Sequence, residues 1–133
     1  MIAKKPDTVF IEFGINDAYL PYKTSVADAR ANLETMITRI LEAKPDTEII
    51  LMTMNPPTGV HLERRPGFKD YYQMYRDVAK ERKILLIDHE PNWERILEED
   101  KDMFFKHAPE GLHPVASGAT DVIAPTILQA LGI

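Results

Sequence analysis

Two short blocks of this chain bring together side chains that could serve acyl-transfer chemistry. The first is Gly14-Ile15-Asn16-Asp17, which places a carboxamide and a carboxylate directly after an apolar run. An asparagine side-chain amide can donate to a developing oxyanion. The same residue types also populate turns for backbone reasons alone, and both readings stand on the sequence. The second block is Pro109-Glu110-Gly111-Leu112-His113-Pro114. A histidine framed by glycine and prolines belongs to a loop rather than to a packed helix face. Glu110, three residues earlier, can reach the imidazole across a tight turn and fix its tautomer. His107, Glu110 and His113 recur at intervals of three, but Pro109 and Gly111 disfavour a helix there, so no metal site is expected. The two serines, Ser25 and Ser117, each stand before an amphipathic run and read as helix N-caps, which leaves no nucleophile within the chain.

Alternating strand and helix signals must position these blocks. Thr8 to Phe13 reads as a buried parallel strand ending at Gly14. Ser25, with Asp28 three residues on, opens an amphipathic helix carrying Val26, Ala29, Leu33, Met36, Ile37, Ile40 and Leu41 and closing at Lys44-Pro45. Glu48 to Met54 is a second strand, stopped by Asn55-Pro56-Pro57. A polar loop with a solvated Arg64-Arg65 pair leads to a helix whose Phe68, Tyr71, Tyr72, Tyr75, Val78 and Ala79 pack in the core. Ile84 to Asp88 is the third strand, and Pro91 starts a short helix through Trp93, Ile96 and Leu97. A loop is expected from Phe104 to Pro114. A last helix follows from about Ser117 to Leu131, with Val122, Ile123, Ile127, Leu128 and Leu131 as its buried stripe; Pro125 should kink it or confine its regular part to one side. His61 and His89 have no evident partner and read as loop or surface residues. The βαβαβα rhythm predicts an α/β domain over residues 1–133, with three parallel strands, right-handed crossovers and helices on both faces.

With 133 residues, 44% apolar and 28% charged, the chain suits one globular domain with a real core. Its 16 Lys plus Arg against 21 Asp plus Glu give a net charge of −5, which disfavours a nucleic-acid partner. No apolar run approaches the roughly 18 residues of a membrane span, and Met1 to Asp7 lacks the apolar core of a signal peptide. A soluble chain is expected, cytoplasmic or secreted. Absence of cysteine removes disulfides, thiolate metal sites and cysteine nucleophiles.

The order, spacing and context of the two blocks resemble the SGNH hydrolases, also called GDSL esterases/lipases. Gly14-Ile15-Asn16-Asp17 matches their G-x-N-D block, and Glu110-Gly111-Leu112-His113-Pro114 matches their D-x-x-H-P block with Glu for Asp. Pro6-Asp7-Thr8-Val9, Lys44-Pro45 and Leu86-Ile87-Asp88 are lesser similarities. The resemblance implies a flavodoxin-like three-layer α/β/α fold with sheet order 2-1-3-4-5, of which this chain would hold strands 3, 4 and 5. It also implies His113 as general base, Glu110 as its acid, Asn16 as oxyanion donor, and Gly14 and Asp17 as supports of the turn. No metal or organic cofactor is implied. The family's serine block is absent, so the nucleophile is expected from a segment outside the chain. That segment, or a swapped or self-associated chain, would cover the Thr8–Phe13 edge. The expected substrates are carboxylic esters, short acyl or carbohydrate O-acetyl, with Tyr19, Tyr22 and Trp93 as an aromatic rim. The other expectation is a non-catalytic binding module that keeps the crevice and lacks the nucleophile.

Overall fold

The computed structural model describes residues 2–133. Its elements run β1 (Thr8–Ile11), α1 (Gly14–Asp17), α2 (Val26–Ala43), β2 (Glu48–Met52), α3 (Gly59–Glu63), α4 (Phe68–Arg82), β3 (Leu85–Ile87), α5 (Glu90–Glu99), α6 (Lys101–His107), α7 (Ala116–Gly118) and α8 (Ala124–Leu131). A π-helical turn, Ala119–Ile123, joins α7 to α8.

The three strands form one parallel sheet in the order β1-β2-β3. Register aligns Val9 with Ile49 and Ile11 with Leu51 and Leu86, so these side chains share a face. That face is buried under α2 and α4 in a core that includes Leu33, Ile37, Tyr75 and Val78. Phe10, Ile50 and Leu85 align on the opposite face; Ile50 is buried at the centre, while Phe10 and Leu85 are partly open at the two edges.

Local sequence accounts for the helix ends. The Ser25 hydroxyl accepts from the Asp28 backbone N–H at 3.0 Å and donates to the Asp28 carboxylate at 2.7 Å, closing the first turn of α2. Lys44, before Pro45, turns to extended backbone because a residue preceding proline is pushed out of the helical region. In α4, Tyr72 and Tyr75 are fully buried, as their helical spacing predicts.

Two expectations change. Phe104 to His107 are helical rather than loop, because Asp100 caps α6 by accepting from the Met103 N–H at 3.0 Å, and Phe104 buries against Trp93, Ala108 and Val122. Pro125 stands in the first turn of α8, so the regular part of the last helix lies on one side of it. The π turn before it takes up the register change that the missing proline N–H requires. Finally, of the anticipated stripe only Val122 is buried; Leu128 and Leu131 are exposed, because α8 packs against β3 and nothing among the described residues lies over its outer side.

On its outer side β1 has no strand partner among the described residues. Phe10 and Phe13 are 42% and 47% exposed there. A groove of about 400 Å³ runs along this edge against α2, lined by Phe10, Glu12, Phe13, Met36 and Arg39 among others.

Candidate active site

The two sequence blocks meet at the carboxyl ends of β1 and β2, where parallel α/β sheets collect their ligands. A crevice of about 160 Å³ is lined by Glu12, Asn16, Met54, Asn55, Leu112 and His113, together with Ile15 and Pro114. A small core joins the blocks beneath it: Ile15, beside Asn16, and Leu112, beside His113, bury together with Phe68 and Tyr72.

Asn16 stands in α1, the single turn into which β1 runs. Backbone bonds hold that turn, with Asn16 N–H and Asp17 N–H donating to the Phe13 carbonyl at 2.9 and 2.8 Å. Arg65 supports it from outside by donating its Nε–H to the Ile15 carbonyl at 3.0 Å. The Asn16 side chain is exposed at the crevice. Gly14 lies where a Cβ would come within 3.3 Å of the Tyr72 ring. The Asp17 carboxylate makes none of the side-chain hydrogen bonds found among the described residues, and burial raises its pKa.

The Glu110 carboxylate is the centre of the second block. Its Oε1 accepts from the Leu112 N–H at 3.1 Å, from the His113 N–H, and from His113 Nδ1 at 2.9 Å. Its Oε2 contacts His61 Nε2 at 2.5 Å. Glu110 therefore reaches the imidazole despite its extra methylene. An ionised carboxylate only accepts, so the proton on His113 is assigned to Nδ1, and Nε2 is left as the acceptor. Desolvation pushes the Glu110 pKa up, but the His113 N–H and the charges of His113 and His61 outweigh it and hold the carboxyl below its ordinary range. Gly111 makes this turn possible. Its φ is +88°, and a Cβ would stand 2.2 Å from the Thr58 hydroxyl.

Glu12 brings a carboxyl to the lining of the crevice. Burial, reinforced by the charge of Asp17 and partly offset by the Ile15 N–H, raises its pKa from 4.5 to about 7. Its Oε1 is buried with no hydrogen-bond partner.

Several residues behave differently from their sequence reading. His61 is not a partnerless loop residue: from α3 its Nε2 makes an ion-pair contact with Glu110. His89 is fully buried, and that burial lowers its pKa. Arg65 is buried, with its guanidinium 4.7 Å from the Tyr19 ring, rather than solvated. Trp93 is fully buried beside Phe104 and forms no part of a rim, whereas Tyr22 is 65% exposed and stacks edge-on with Tyr19. Ser117 is not an N-cap; its hydroxyl lies 3.0 Å from His107 Nδ1, and Val115 takes the cap position of α7. Asn55 was missed by sequence reading: it is buried and donates to the Leu112 carbonyl at 2.8 Å. Its position at the end of β2 was the available signal. Among the described residues no cluster of His, Asp and Glu is arranged to hold a metal ion, and no helix is long and apolar enough to cross a membrane.

Solved structures share this fold. An acetylxylan esterase from Geobacillus stearothermophilus is 27% identical with a TM-score of 0.77, covering 100% of this chain and 63% of that one. Catalytic mutants of that esterase replace a serine, an aspartate and a histidine in turn, the aspartate three positions before the histidine. A GDSL-like protein from Parabacteroides merdae has a TM-score of 0.82 at 20% identity, covering 98% of this chain and 62% of that one. The chain thus spans less than two thirds of the length of these structures. No curated protein sequence matches it. The pattern of the GDSL-like lipase/acylhydrolase family matches residues 1–120, and the chain belongs to that family.

Proposed function

We propose that this chain carries the acid–base and oxyanion side of a serine esterase acting on carboxylic esters. The nucleophilic serine would come from a segment outside these residues. The observation that carries the reading is that Asn16 and His113, the latter bonded to Glu110, line one crevice.

In this mechanism His113 Nε2 takes the proton of the attacking serine hydroxyl, and the Nδ1–H···Glu110 bond stabilises the imidazolium that forms. The Asn16 amide donates to the carbonyl oxygen as it becomes an oxyanion. His113 then protonates the leaving alcohol, and a water molecule repeats the sequence on the acyl-enzyme. Gly14 and Asp17 support the turn that aims Asn16. The likeness to an acetylxylan esterase and the exposed Tyr19–Tyr22 pair favour short acyl or carbohydrate O-acetyl esters.

The open edge of β1 is proposed as the seat of the serine-bearing segment, or of a swapped or self-associated chain, lying against Thr8–Phe13. The groove along Phe10 and Phe13 supports this.

Hydrolysis of p-nitrophenyl acetate by the full-length gene product tests the chemistry. His113→Ala should abolish turnover, and Asn16→Ala should lower kcat about 100-fold, the loss expected for one oxyanion donor at roughly 3 kcal/mol. Unchanged turnover in His113→Ala would remove that residue from the mechanism. Light scattering tests the edge: a stable, monodisperse monomer of the chain alone, with Thr8–Ile11 amides open to exchange, would count against it.

A further inference from the structure

We propose that His61 is a positioning residue for His113: it grips the far oxygen of Glu110 so that the near oxygen stays on the imidazole. The inference rests on the reading of His113 as the base, and it adds a residue that neither sequence block contains.

Glutamate has one more rotatable bond than aspartate, so a carboxylate held from one side only would sample several positions. Here it is held from both sides. Oε1 takes the Leu112 N–H, the His113 N–H and His113 Nδ1, and Oε2 makes an ion-pair contact with His61 Nε2 at 2.5 Å. Since the carboxylate only accepts, His61 Nε2 must carry a proton at this distance; the contact is electrostatic, without the hydrogen-bond alignment of His113 Nδ1.

Exposure shows which histidine anchors the other. The His61 side chain is 20% exposed and the His113 side chain 77%. The more buried ring is therefore the fixed one, and the exposed ring, which must meet substrate, is oriented through it. The backbone supports His61 in turn. Thr58 donates its N–H to the Gly111 carbonyl at 2.9 Å and its hydroxyl to the same oxygen at 3.2 Å, and the His61 N–H donates to the Thr58 carbonyl at 3.0 Å. The start of α3 is thereby stitched to the loop that carries Glu110 and His113. The two rings meet edge to face, with centroids 6.3 Å apart.

The test uses two substitutions that separate donor from packing. His61→Phe keeps the ring and loses the N–H; His61→Gln loses the ring and keeps an N–H near the Nε2 position. Nitrogen-15 spectra of the histidine rings, recorded on the full-length product at pH 8, read the tautomer of His113 without reference to turnover. In the wild type and His61→Gln, His113 should be mainly Nδ1–H. In His61→Phe it should shift toward the Nε2–H form that free imidazole side chains prefer in water. In the full-length product, His61→Phe should lower kcat about tenfold with KM little changed, the order of loss seen when the outer partner of a metal-bound imidazole is removed. An identical His113 tautomer in all three proteins would overturn the proposal. So would a shift in His61→Gln with none in His61→Phe, since packing alone would then hold the site. If the full-length product lacked esterase activity while the tautomers followed this pattern, the positioning role would stand and the esterase reading would fall.

Discussion

Burial of Glu12 should make the stability of this protein fall as pH rises through the range where most proteins are at their best, and Glu12→Gln should remove that loss. The carboxyl is taken out of water at the end of β1, near the negative Asp17, and one of its oxygens has no hydrogen-bond partner. Its pKa rises from 4.5 to about 7. Between those values the folded protein holds a proton that the unfolded chain has released. The folded state therefore binds more protons, and stability declines with increasing pH. The full contribution is present below 4.5, is lost by about 7, and changes little above. At about 1.36 kcal/mol per tenfold, the loss comes to roughly 3 kcal/mol. That is a large part of the 5–15 kcal/mol typical of a domain's stability. Glutamine keeps the shape and cannot ionise. Urea unfolding followed by fluorescence of Trp93, the single and fully buried tryptophan, gives the difference directly. Glu12→Gln relative to wild type should gain about 3 kcal/mol on going from pH 4 to pH 8. A change below about 0.5 kcal/mol, or one of opposite sign, would refute the assignment of Glu12 as a carboxyl forced to ionise in a buried site.

Leu112→Ala should cost about 2–5 kcal/mol in urea unfolding and weaken the alignment of the two blocks, because Leu112 is 6% exposed and shares its cluster with Ile15. Arg76→Met leaves Asp88 and the buried Glu90 without their cation and should destabilise by about 3–5 kcal/mol, measured the same way. Desolvation works to raise the Asp88 pKa, but its bonds to Arg76 and Thr53 lower it overall, so its stabilisation is present at neutral pH and lost as pH falls; that acid limb should flatten in Arg76→Met. Gly111→Ala should cost about 1–3 kcal/mol or more through its positive φ and the clash with Thr58, and adding Thr58→Ala should restore only the part due to the hydroxyl clash, as thermal melts would show.

What could be read from the sequence was local. Ser25 and Asp28 cap α2 because both lie within one turn, and Glu110 reaches His113 because three residues separate them. The strands at Thr8, Glu48 and Leu85 follow from short apolar runs, and their parallel order follows from the helices between them. The reading failed where the deciding partner is distant. Leu128 and Leu131 have the period of a buried stripe, but burial needs a surface to lie against, and periodicity cannot supply one. Arg65 looked solvated because its charge is visible in sequence and the Ile15 carbonyl that receives it is not.

The misread residues near the crevice have a common location, and it explains how two blocks almost a hundred positions apart form one site. The connection between β2 and α4 contributes Asn55 to the Leu112 carbonyl, Thr58 to the Gly111 carbonyl, His61 to the Glu110 carboxylate and Arg65 to the Ile15 carbonyl. Leu20 donates back to the Arg64 carbonyl at 3.0 Å. Each of these contacts is polar and long-range in sequence, and the Asn55 and Arg65 hydrogen bonds are buried, so the segment is costly to displace once packed. Asn16 and His113 each have a local reason to be where they are within their own turn. Their separation across the crevice is set by this third segment, which by composition is only a proline-rich polar loop.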